Sequence, residues 1–273
     1  PLIFTNNDSA YETALEFKKQ GVHPIILDTR EEHSSELIET AKSNNIQIKF
    51  SYAVIAANGY KKVKSALIGK LNRDKTDFEN SETIECDCIC VSGFWTPTVH
   101  LASQSGNKLK FNDQIDAFVP DKSKQNETSV GASKGTFTLK ETLNDGFKTG
   151  FDLSKKITKN NNSTSTPNSN ETKKNPHDKF WCSPLPKDKN YKRFVDFQND
   201  VAVSDIEVAL REGYRSIEHV KRYTTLGMAT DQGRTSNLNG LQLVANVEKK
   251  IVPQVGHTTF RPPFTPITIG TIV

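Results

Sequence analysis

Three cysteines lie close together in the sequence, and thiols can bind a metal or form disulfides. Cys86, Cys88 and Cys90 alternate along an apolar run, which on a β-strand would place three thiols on one face about 6–7 Å apart. That spacing is awkward for disulfides among them, and a structural metal site needs CxxC-type spacing with a matching second cluster. Only Cys182 lies elsewhere. The sequence therefore predicts three small, buried, reduced thiols and no metal.

The six histidines form no recognisable catalytic pattern. There is no HExxH motif, no HxH motif and no nucleophile elbow. We expect His219 to be a solvated or capping residue and His100 to pack against the turn at 95–97, while His257 has no evident partner. Residue types and spacing alone therefore assign no reaction and no catalytic side chain.

A turn at residues 5–10 (TNNDSA) lies where a dinucleotide-binding protein would carry its glycine fingerprint. Asp28 ends the following strand at roughly the offset of the acid that binds a ribose. The turn contains no glycine that would let backbone approach a pyrophosphate, and the carboxylate of Asp8 would repel one. The sequence favours a dinucleotide-type fold without its ligand over nucleotide binding at this turn.

A second turn, at residues 130–135 (VGASKG), precedes a helix expected from about 139 to 151. Small residues before a helix N-terminus suit close approach of backbone to a phosphate or a ribose. A tight helix–strand contact would explain the same glycines, so both interpretations stay open. Lys134 would point at phosphate or at solvent.

Alternating strand and helix signals over residues 1–60 predict a parallel sheet with right-handed crossovers. The expected strands are 2–4, 23–27 and 46–50, and the expected helices are 11–17 and 34–44. Residues 52–71 predict an antiparallel hairpin around Asn58 and Gly59, followed by a polar loop at 74–82 and a strand at 84–91. Residues 194–250 predict a small module of three helices, the first capped by Ser204 with Glu207.

Composition bounds the class of protein. The 273 residues carry a formal charge of +4, 34% hydrophobic side chains and a mean hydropathy of −0.58. Residues 155–193 hold ten basic and three acidic side chains, so this segment carries +7 and the remainder −3. The segment is rich in Asn, Lys, Ser, Thr and Pro, which is typical of a flexible linker. Without interleaved aromatics or clustered arginines it does not indicate nucleic-acid binding.

No apolar run approaches the roughly 20 residues that a membrane-spanning helix needs, and the first residues do not resemble a signal peptide. We therefore expect a cytoplasmic protein without membrane or nucleic-acid partners. The first residue is Pro1, within a predicted strand, and we expect the chain to be a piece of a longer protein.

Five sequence blocks together resemble the α subunit of heterotetrameric sarcosine oxidase, in the order in which that family carries them. The most specific is residues 216–237 (SIEHVKRYTTLGMATDQGRTSN). The other blocks are residues 4–11 (FTNNDSAY), 91–101 (VSGFWTPTVHL), 194–201 (FVDFQNDV) and 259–266 (TFRPPFTP).

The resemblance implies an α/β fold of the FAD/NAD(P)-binding type with two Rossmann-like dinucleotide domains, plus a small all-α module. That module would resemble a cluster-free 2Fe–2S domain of the bacterioferritin-associated-ferredoxin type. The implied divisions are an NADPH-domain-like insertion (1–83), the C-terminal part of an NAD-binding domain (84–151), a low-complexity linker (152–193), the helical module (194–250) and an extended segment (251–273) leading to a folate-binding domain. The chain would be an internal fragment that lacks the family's GxGxxG.

The resemblance also implies cofactors and contact residues. NAD would contact Ala132, Phe137 and Leu139, with Gly135 shaping the turn. FMN, held by the β subunit at the α/β interface, would lie near the side chains listed here: Lys221, Arg222, Thr224 and Thr225. Packing and capping within the module are equally compatible with those four residues. Related amine and opine dehydrogenases carry cysteines near residues 197–201 and 230–237, and their absence here leaves an iron–sulfur cluster without ligands.

The implied complex contains β, γ and δ subunits, FAD in the β subunit and tetrahydrofolate in the C-terminal domain. It would oxidatively demethylate sarcosine to glycine with O2, giving H2O2 and 5,10-methylenetetrahydrofolate, while this segment forms an NAD site wall and an FMN interface. The alternatives are the α subunit of a related amine, proline or opine dehydrogenase, and a non-catalytic assembly scaffold.

Overall fold

The computed structural model describes residues 1–158, 177–189, 191–262 and 267–272. These residues divide into two compact units. Unit 1 comprises residues 1–94, 177–189 and 191, and unit 2 comprises residues 95–158, 192–262 and 267–272.

Unit 1 is built on a parallel sheet, as the alternating pattern predicts. Its strands are β1 (Leu2–Thr5), β2 (Ile25–Asp28), β3 (Gln47–Phe50), β4 (Tyr52–Gly59), β5 (Val63–Leu71), β6 (Phe78–Glu85) and β7 (Ile89–Ser92), and its helices are α1 (Ser9–Lys19) and α2 (Glu36–Ser43). The parallel sheet has the order β3-β2-β1-β7, and β4, β5 and β6 form a separate antiparallel sheet in sequence order.

Alternation along β1 and β2 fills a core on each face of the parallel sheet. Ile3 and Ile26 are buried with Tyr11 of α1 and Ile38 of α2 on one face. On the opposite face, neighbouring strand residues pack against the antiparallel sheet, in a cluster that consists of Leu2, Leu27, Ala66 and Ile68. Burial on both faces explains why these short strands read as continuous apolar runs.

Two sequence expectations for the second half of unit 1 are wrong. The expected polar loop at 74–82 contains most of β6, whose exposed, polar residues are held by pairing with β5. The expected strand at 84–91 is interrupted between β6 and β7. Because of that break, Cys88 is exposed and Cys86 and Cys90 are only partly buried, although the Cys88 and Cys90 sulfurs remain 3.8 Å apart.

Unit 2 contains a hairpin that the sequence did not predict, a long helix and the expected helical module. Its elements are α3 (His100–Gln104), β8 (Leu109–Asn112), β9 (Ala117–Pro120), a 3₁₀ turn (Gly131–Lys134), α4 (Leu139–Thr158), β10 (Phe194–Asp196), β11 (Val201–Ala202), α5 (Val203–Arg211), α6 (Ile217–Thr224), α7 (Asn237–Glu248), α8 (Val252–Val255) and α9 (Ile269–Ile272). Among the described residues, no helix is long and apolar enough to cross a membrane.

Helices α5, α6 and α7 share a buried apolar core that includes Ile206, Val220 and Val244. The expected capping pair of Ser204 with Glu207 is wrong. Helix α5 begins two residues earlier than that pair implies, with Ala202 at its cap position, so the acid in the third helical position is Asp205, whose Oδ2 accepts a hydrogen bond of 2.8 Å from the Ala202 amide. The interpretation as a small helical module is unaffected.

Candidate functional site

The carboxyl ends of β1 and β2 in unit 1 carry a buried network of charged side chains. A terminal nitrogen of Arg30 lies 2.7 Å from Asp8 Oδ1 and 2.7 Å from Asp28 Oδ2. The Tyr11 hydroxyl donates to Asp28 Oδ2 over 2.8 Å, while the Arg30 amide and Nε each donate to Asp28 Oδ1 over 3.0 Å. Both oxygens of Asp28, the residue at the expected ribose position, therefore already have partners.

Within this network Tyr11 stays neutral and Arg30 stays positively charged. Burial and the neighbouring Asp28 carboxylate both raise the pKa of Tyr11, so the phenol stays neutral. Burial by itself lowers the pKa of Arg30, but its hydrogen bonds and attraction to Asp28 and Asp8 outweigh burial, and the pKa is raised. Arg30 therefore remains a paired cation rather than an available anion-binding group.

An open cavity of about 550 Å³ lies beside this network in unit 1. Its charged walls come from Arg30, Arg73, Lys75, Glu31 and Asp178, and its histidines are His33 and His177. Lys75 forms an ion pair with Asp178, and burial lowers the pKa of Lys75. With acidic and basic side chains interspersed along its wall and with Arg30 already paired with Asp8, the cavity does not concentrate positive charge for a phosphate.

The turn in unit 2 that the family resemblance assigns to NAD has a left-handed backbone at both of its glycines. Gly131 has φ +63° and Gly135 has φ +97°, and a Cβ on Gly135 would lie 2.8 Å from Ile115 Cδ1. The side chains of Ala132, Phe137 and Leu139 are exposed. The turn thus offers a small surface of exposed apolar side chains.

Asp145 of α4 occupies the polar side of the same turn. Its Oδ2 accepts a hydrogen bond of 2.9 Å from the Gly131 amide, and its Oδ1 lies 3.1 Å from Lys134 Nζ. The bond from Gly131, followed by Lys134, holds the pKa of Asp145 below its usual value. Lys134 therefore points at Asp145, neither at a phosphate nor freely into solvent, and the turn is less suited to a phosphate than to an uncharged part of a nucleotide.

In the helical module, the four residues expected near FMN lie together around the end of α6. Their positions differ: Arg222 and Thr225 are exposed, Thr224 is partly buried and Lys221 is buried. Arg222 lies 3.7 Å from Glu218 of the preceding turn, and Thr225 has the left-handed φ of +65° that ends the helix.

Lys221 points into unit 2 rather than outward. Its Nζ donates to the Thr259 carbonyl over 2.9 Å, and Glu218 Oε1 accepts from the Thr259 amide over 2.6 Å. Burial lowers the pKa of Lys221. One helix face therefore holds the peptide at residue 259, and among the four expected residues Arg222 and Thr225 present the accessible polar atoms.

His100 lies beside a small cavity of about 50 Å³ in unit 2. Its ring is 4.0 Å from the Phe260 ring, and its Nε2 is 3.1 Å from the Gln232 carbonyl. Burial lowers the pKa of His100, which favours the neutral ring. His100 thus packs against the chain near residue 260, beside Thr96 and Pro97 of the expected turn, while His219 is exposed as expected.

Asp196 is a buried polar residue whose role the sequence analysis missed. Its Oδ1 accepts from the Gln198 amide over 2.9 Å, and its Oδ2 accepts from the Gly227 amide over 2.8 Å. Ser236 Oγ lies 3.4 Å from the same Oδ2. An aspartate that ends a short apolar strand, before a polar turn, was the available signal, but two of its partners, Gly227 and Ser236, lie 31 and 40 residues away. Among the described residues, no group of His, Cys, Asp and Glu could hold a metal ion.

Comparison with known proteins agrees with the motif-based resemblance. Residues 190–273 match the family model described as the sarcosine oxidase A3 domain. The chain is 32% identical over 280 residues to the sarcosine oxidase subunit alpha of Rhizobium meliloti (strain 1021), covering all of this chain and 26% of that protein. It is 31% identical over 282 residues to the subunit alpha of Corynebacterium sp. (strain P-1), covering 99% of this chain and 28% of that protein.

The fold resembles that of a solved dehydrogenase. The crystal structure of L-proline dehydrogenase from P. horikoshii gives a TM-score of 0.66 at 16% identity, covering 99% of this chain and 54% of that one. At that identity the match establishes only the mixed α/β fold. The chain spans about a quarter of the length of its curated relatives. It is similar, over its whole length, to one part of the sarcosine oxidase alpha subunit, which confirms the resemblance inferred from its motifs.

Proposed function

We propose that this chain is a segment of a sarcosine oxidase alpha subunit and serves as a wall of the NAD site and as the FMN-facing interface with a β subunit. The observation that carries the proposal is similarity over the full chain, together with the A3 match at residues 190–273. The whole complex, with its β, γ and δ subunits, would convert sarcosine and O2 to glycine and H2O2, with the one-carbon unit passed to tetrahydrofolate.

The described residues suit part of an NAD molecule. Ala132, Phe137 and Leu139 expose apolar surface next to the turn shaped by Gly135. Such side chains can pack against a base or a ribose, while Asp145 disfavours a phosphate at the Gly131 amide. We therefore propose that this turn contacts a nucleoside moiety and that the pyrophosphate is held by other parts of the subunit.

The end of α6 suits the rim of a flavin site. Arg222 offers an exposed guanidinium to an anionic group, and Thr225 exposes its hydroxyl although that group also donates to the Thr224 carbonyl over 2.6 Å. Lys221 would act indirectly by holding the peptide at residue 259, and Thr224 donates to the Val220 carbonyl over 2.8 Å. Bound FMN would supply electron transfer between the FAD of the β subunit and O2.

None of the described side chains is proposed to exchange a proton or electron with sarcosine. The resemblance of the helical module to a cluster-free 2Fe–2S domain remains part of this proposal, as do the five domain divisions from residues 1–83 to 251–273. In this arrangement the chain orients cofactors and excludes water, while the β subunit carries the oxidation.

The test is co-expression of the full-length alpha subunit with its β, γ and δ subunits, followed by measurement of bound NAD and FMN and of sarcosine-dependent O2 consumption. We expect both cofactors to be retained and H2O2 to form. Arg222→Ala should lower FMN content several-fold, whereas Arg211→Ala, on an exposed position of α5, should leave it unchanged. A complex that retains neither cofactor would overturn the proposal and favour an assembly scaffold. Oxidation of proline or an opine instead would favour a related dehydrogenase.

A further inference from the structure

The parallel sheet of unit 1 has a topological switch point between β1 and β7. From β1 the chain moves through α1 to β2 on one side, whereas β7 is added on the other side of β1. In open α/β sheets, ligands bind in the crevice at the carboxyl ends of the two strands where the order reverses. In this chain that crevice lies between Asn7, after β1, and Ser92 and Gly93, at the end of β7.

Asn7 closes this crevice from within. Its Nδ2 donates to the Ser92 carbonyl over 3.2 Å and to the Gly93 carbonyl over 2.6 Å. Its Oδ1 accepts from the Ser9 amide over 3.0 Å and from the Ser9 hydroxyl over 2.5 Å. The side chain is 0% exposed. One amide therefore links the two strand ends and also occupies a donor at the start of α1, where a dinucleotide phosphate would otherwise bind.

A second layer covers Asn7, and it comes from the segment that the sequence assigned to a linker. His177 forms an isolated antiparallel bridge with Asn7. The Asp178 amide donates to the Asn6 carbonyl over 3.1 Å, and Asn6 Nδ2 donates to the Asp178 carbonyl over 2.7 Å. These reciprocal bonds satisfy the backbone of the turn much as a bound peptide would.

Side chains on both sides of the bridge hold the segment in place. The imidazole of His177 stacks on the Phe94 ring with centroids 4.4 Å apart and planes 19° apart, and Trp181 meets the edge of the same ring at 5.1 Å. Asp178 forms an ion pair with Lys75, and both side chains are partly buried. Phe180 packs at 5.9 Å, edge to face, on the ring of Phe4 of β1.

We propose that residues 177–181 form a strap that occupies the ligand crevice of unit 1, so that the chain's own peptide keeps this sheet closed to dinucleotides. A nucleotide entering here would have to displace the hydrogen bonds of Asn7 to the ends of both strands, the reciprocal bonds of Asn6 with Asp178 and the aromatic contacts of Phe94. The carboxylate of Asp8 at the start of α1 would still oppose its phosphates. The strap lies wholly within unit 1 and does not involve the turn at residues 130–135 that the resemblance assigns to NAD.

The test is hydrogen–deuterium exchange of the assembled, full-length protein, with and without 1 mM NADH or NADPH. We expect the peptide covering 177–182 to be protected and its exchange to be unchanged by either nucleotide. Rapid, unprotected exchange of that peptide would overturn the proposal, and so would a nucleotide-induced change there in either direction. A change confined to peptides covering 130–139 would concern the NAD turn and would leave the strap intact.

Variants that break the Lys75–Asp178 ion pair test the strap from both of its sides. Asp178→Ala should accelerate exchange at 177–182 and at 4–8 by about tenfold while leaving β2 unchanged. Lys75→Met removes the other partner and should give the same pattern if Asp178→Ala does not fold. Lys62→Ala, at an exposed position of the hairpin between β4 and β5, is the matched control. Exchange at 177–182 that remains at the wild-type rate in both variants would contradict a strap held by this ion pair.

Discussion

Replacement of Asp196 in the helical module should loosen the loop at residues 225–236. Asp196→Ala removes the acceptor of two short bonds, from the Gln198 amide at 2.9 Å and from the Gly227 amide at 2.8 Å. A hydrogen bond to a charged group contributes about 1.5–3 kcal/mol. The Gly227 bond should reach the upper part of that range because Gly227 is buried, whereas water can replace the exposed Gln198 bond.

The summed loss in unfolding free energy is then about 3–4 kcal/mol, with about half that loss for Asp196→Asn, which keeps one acceptor oxygen. Hydrogen exchange of the full-length protein gives the opening free energy of the peptide covering 217–228. Glu212→Ala, at the exposed end of α5, is the control and should change it by no more than about 0.5 kcal/mol. If Asp196→Ala behaves like this control, the carboxylate does not organise the loop and our reasoning is refuted.

The other predictions concern two glycines and two shifted pKa values. Gly135→Ala should lower the melting temperature, because a Cβ would meet Ile115 Cδ1 at 2.8 Å at a φ of +97° and such strain costs about 1–3 kcal/mol. Gly146→Ala, in open space within α4, should instead raise the melting temperature. Equal effects of the two substitutions would contradict the strain argument. Because the pKa of Asp145 is lowered, its contribution to stability is present above pH 3.8 and is lost as the pH falls below that value. Asp145→Asn should therefore flatten the acid limb of a stability–pH curve measured by urea unfolding. The pKa of Lys221 is also lowered, so stability should rise as the pH rises through the folded-state pKa toward 10.5. Lys221→Met should reduce that alkaline rise in the same experiment and leave the part that the lowered pKa of Lys75 contributes, and an unchanged rise would contradict a contribution from Lys221.

The regular part of unit 1 was predictable because its signals are local. Short apolar strands and the stripe on α1 report which face of each element is buried, and a parallel sheet follows from their alternation. Strand β6 was missed for the opposite reason. Its residues are polar and exposed, so only pairing with β5 identifies them as a strand. The hairpin of β8 and β9 was missed as well, because its two strands are only four residues long and the residues around them resemble a loop.

The candidate sites were predictable only in part. The similarity to sarcosine oxidase alpha subunits confirms the resemblance that the sequence motifs carry, whereas the assignment of the turn around Gly135 to NAD and of the end of α6 to FMN stays a prediction from that resemblance. The orientation of Lys221 toward Thr259 was not predictable, because a helical sequence does not state which neighbouring segment covers each face. The pairing of Lys134 with Asp145 was not predictable either, because Asp145 lies 11 residues away on α4.

By itself, the sequence determined the alternating elements of unit 1, the absence of cysteines near residues 197–201 and 230–237, and the family that the chain resembles. The tertiary structure alone decided that Asn7 bridges two strand ends and that residues 177–181 cover it. The composition of a segment indicates the average conformational entropy that is lost when it becomes ordered. A few contacts to residues that are distant in the sequence, such as Phe180 with Phe4, can offset that cost, and composition does not show where along the chain such partners lie.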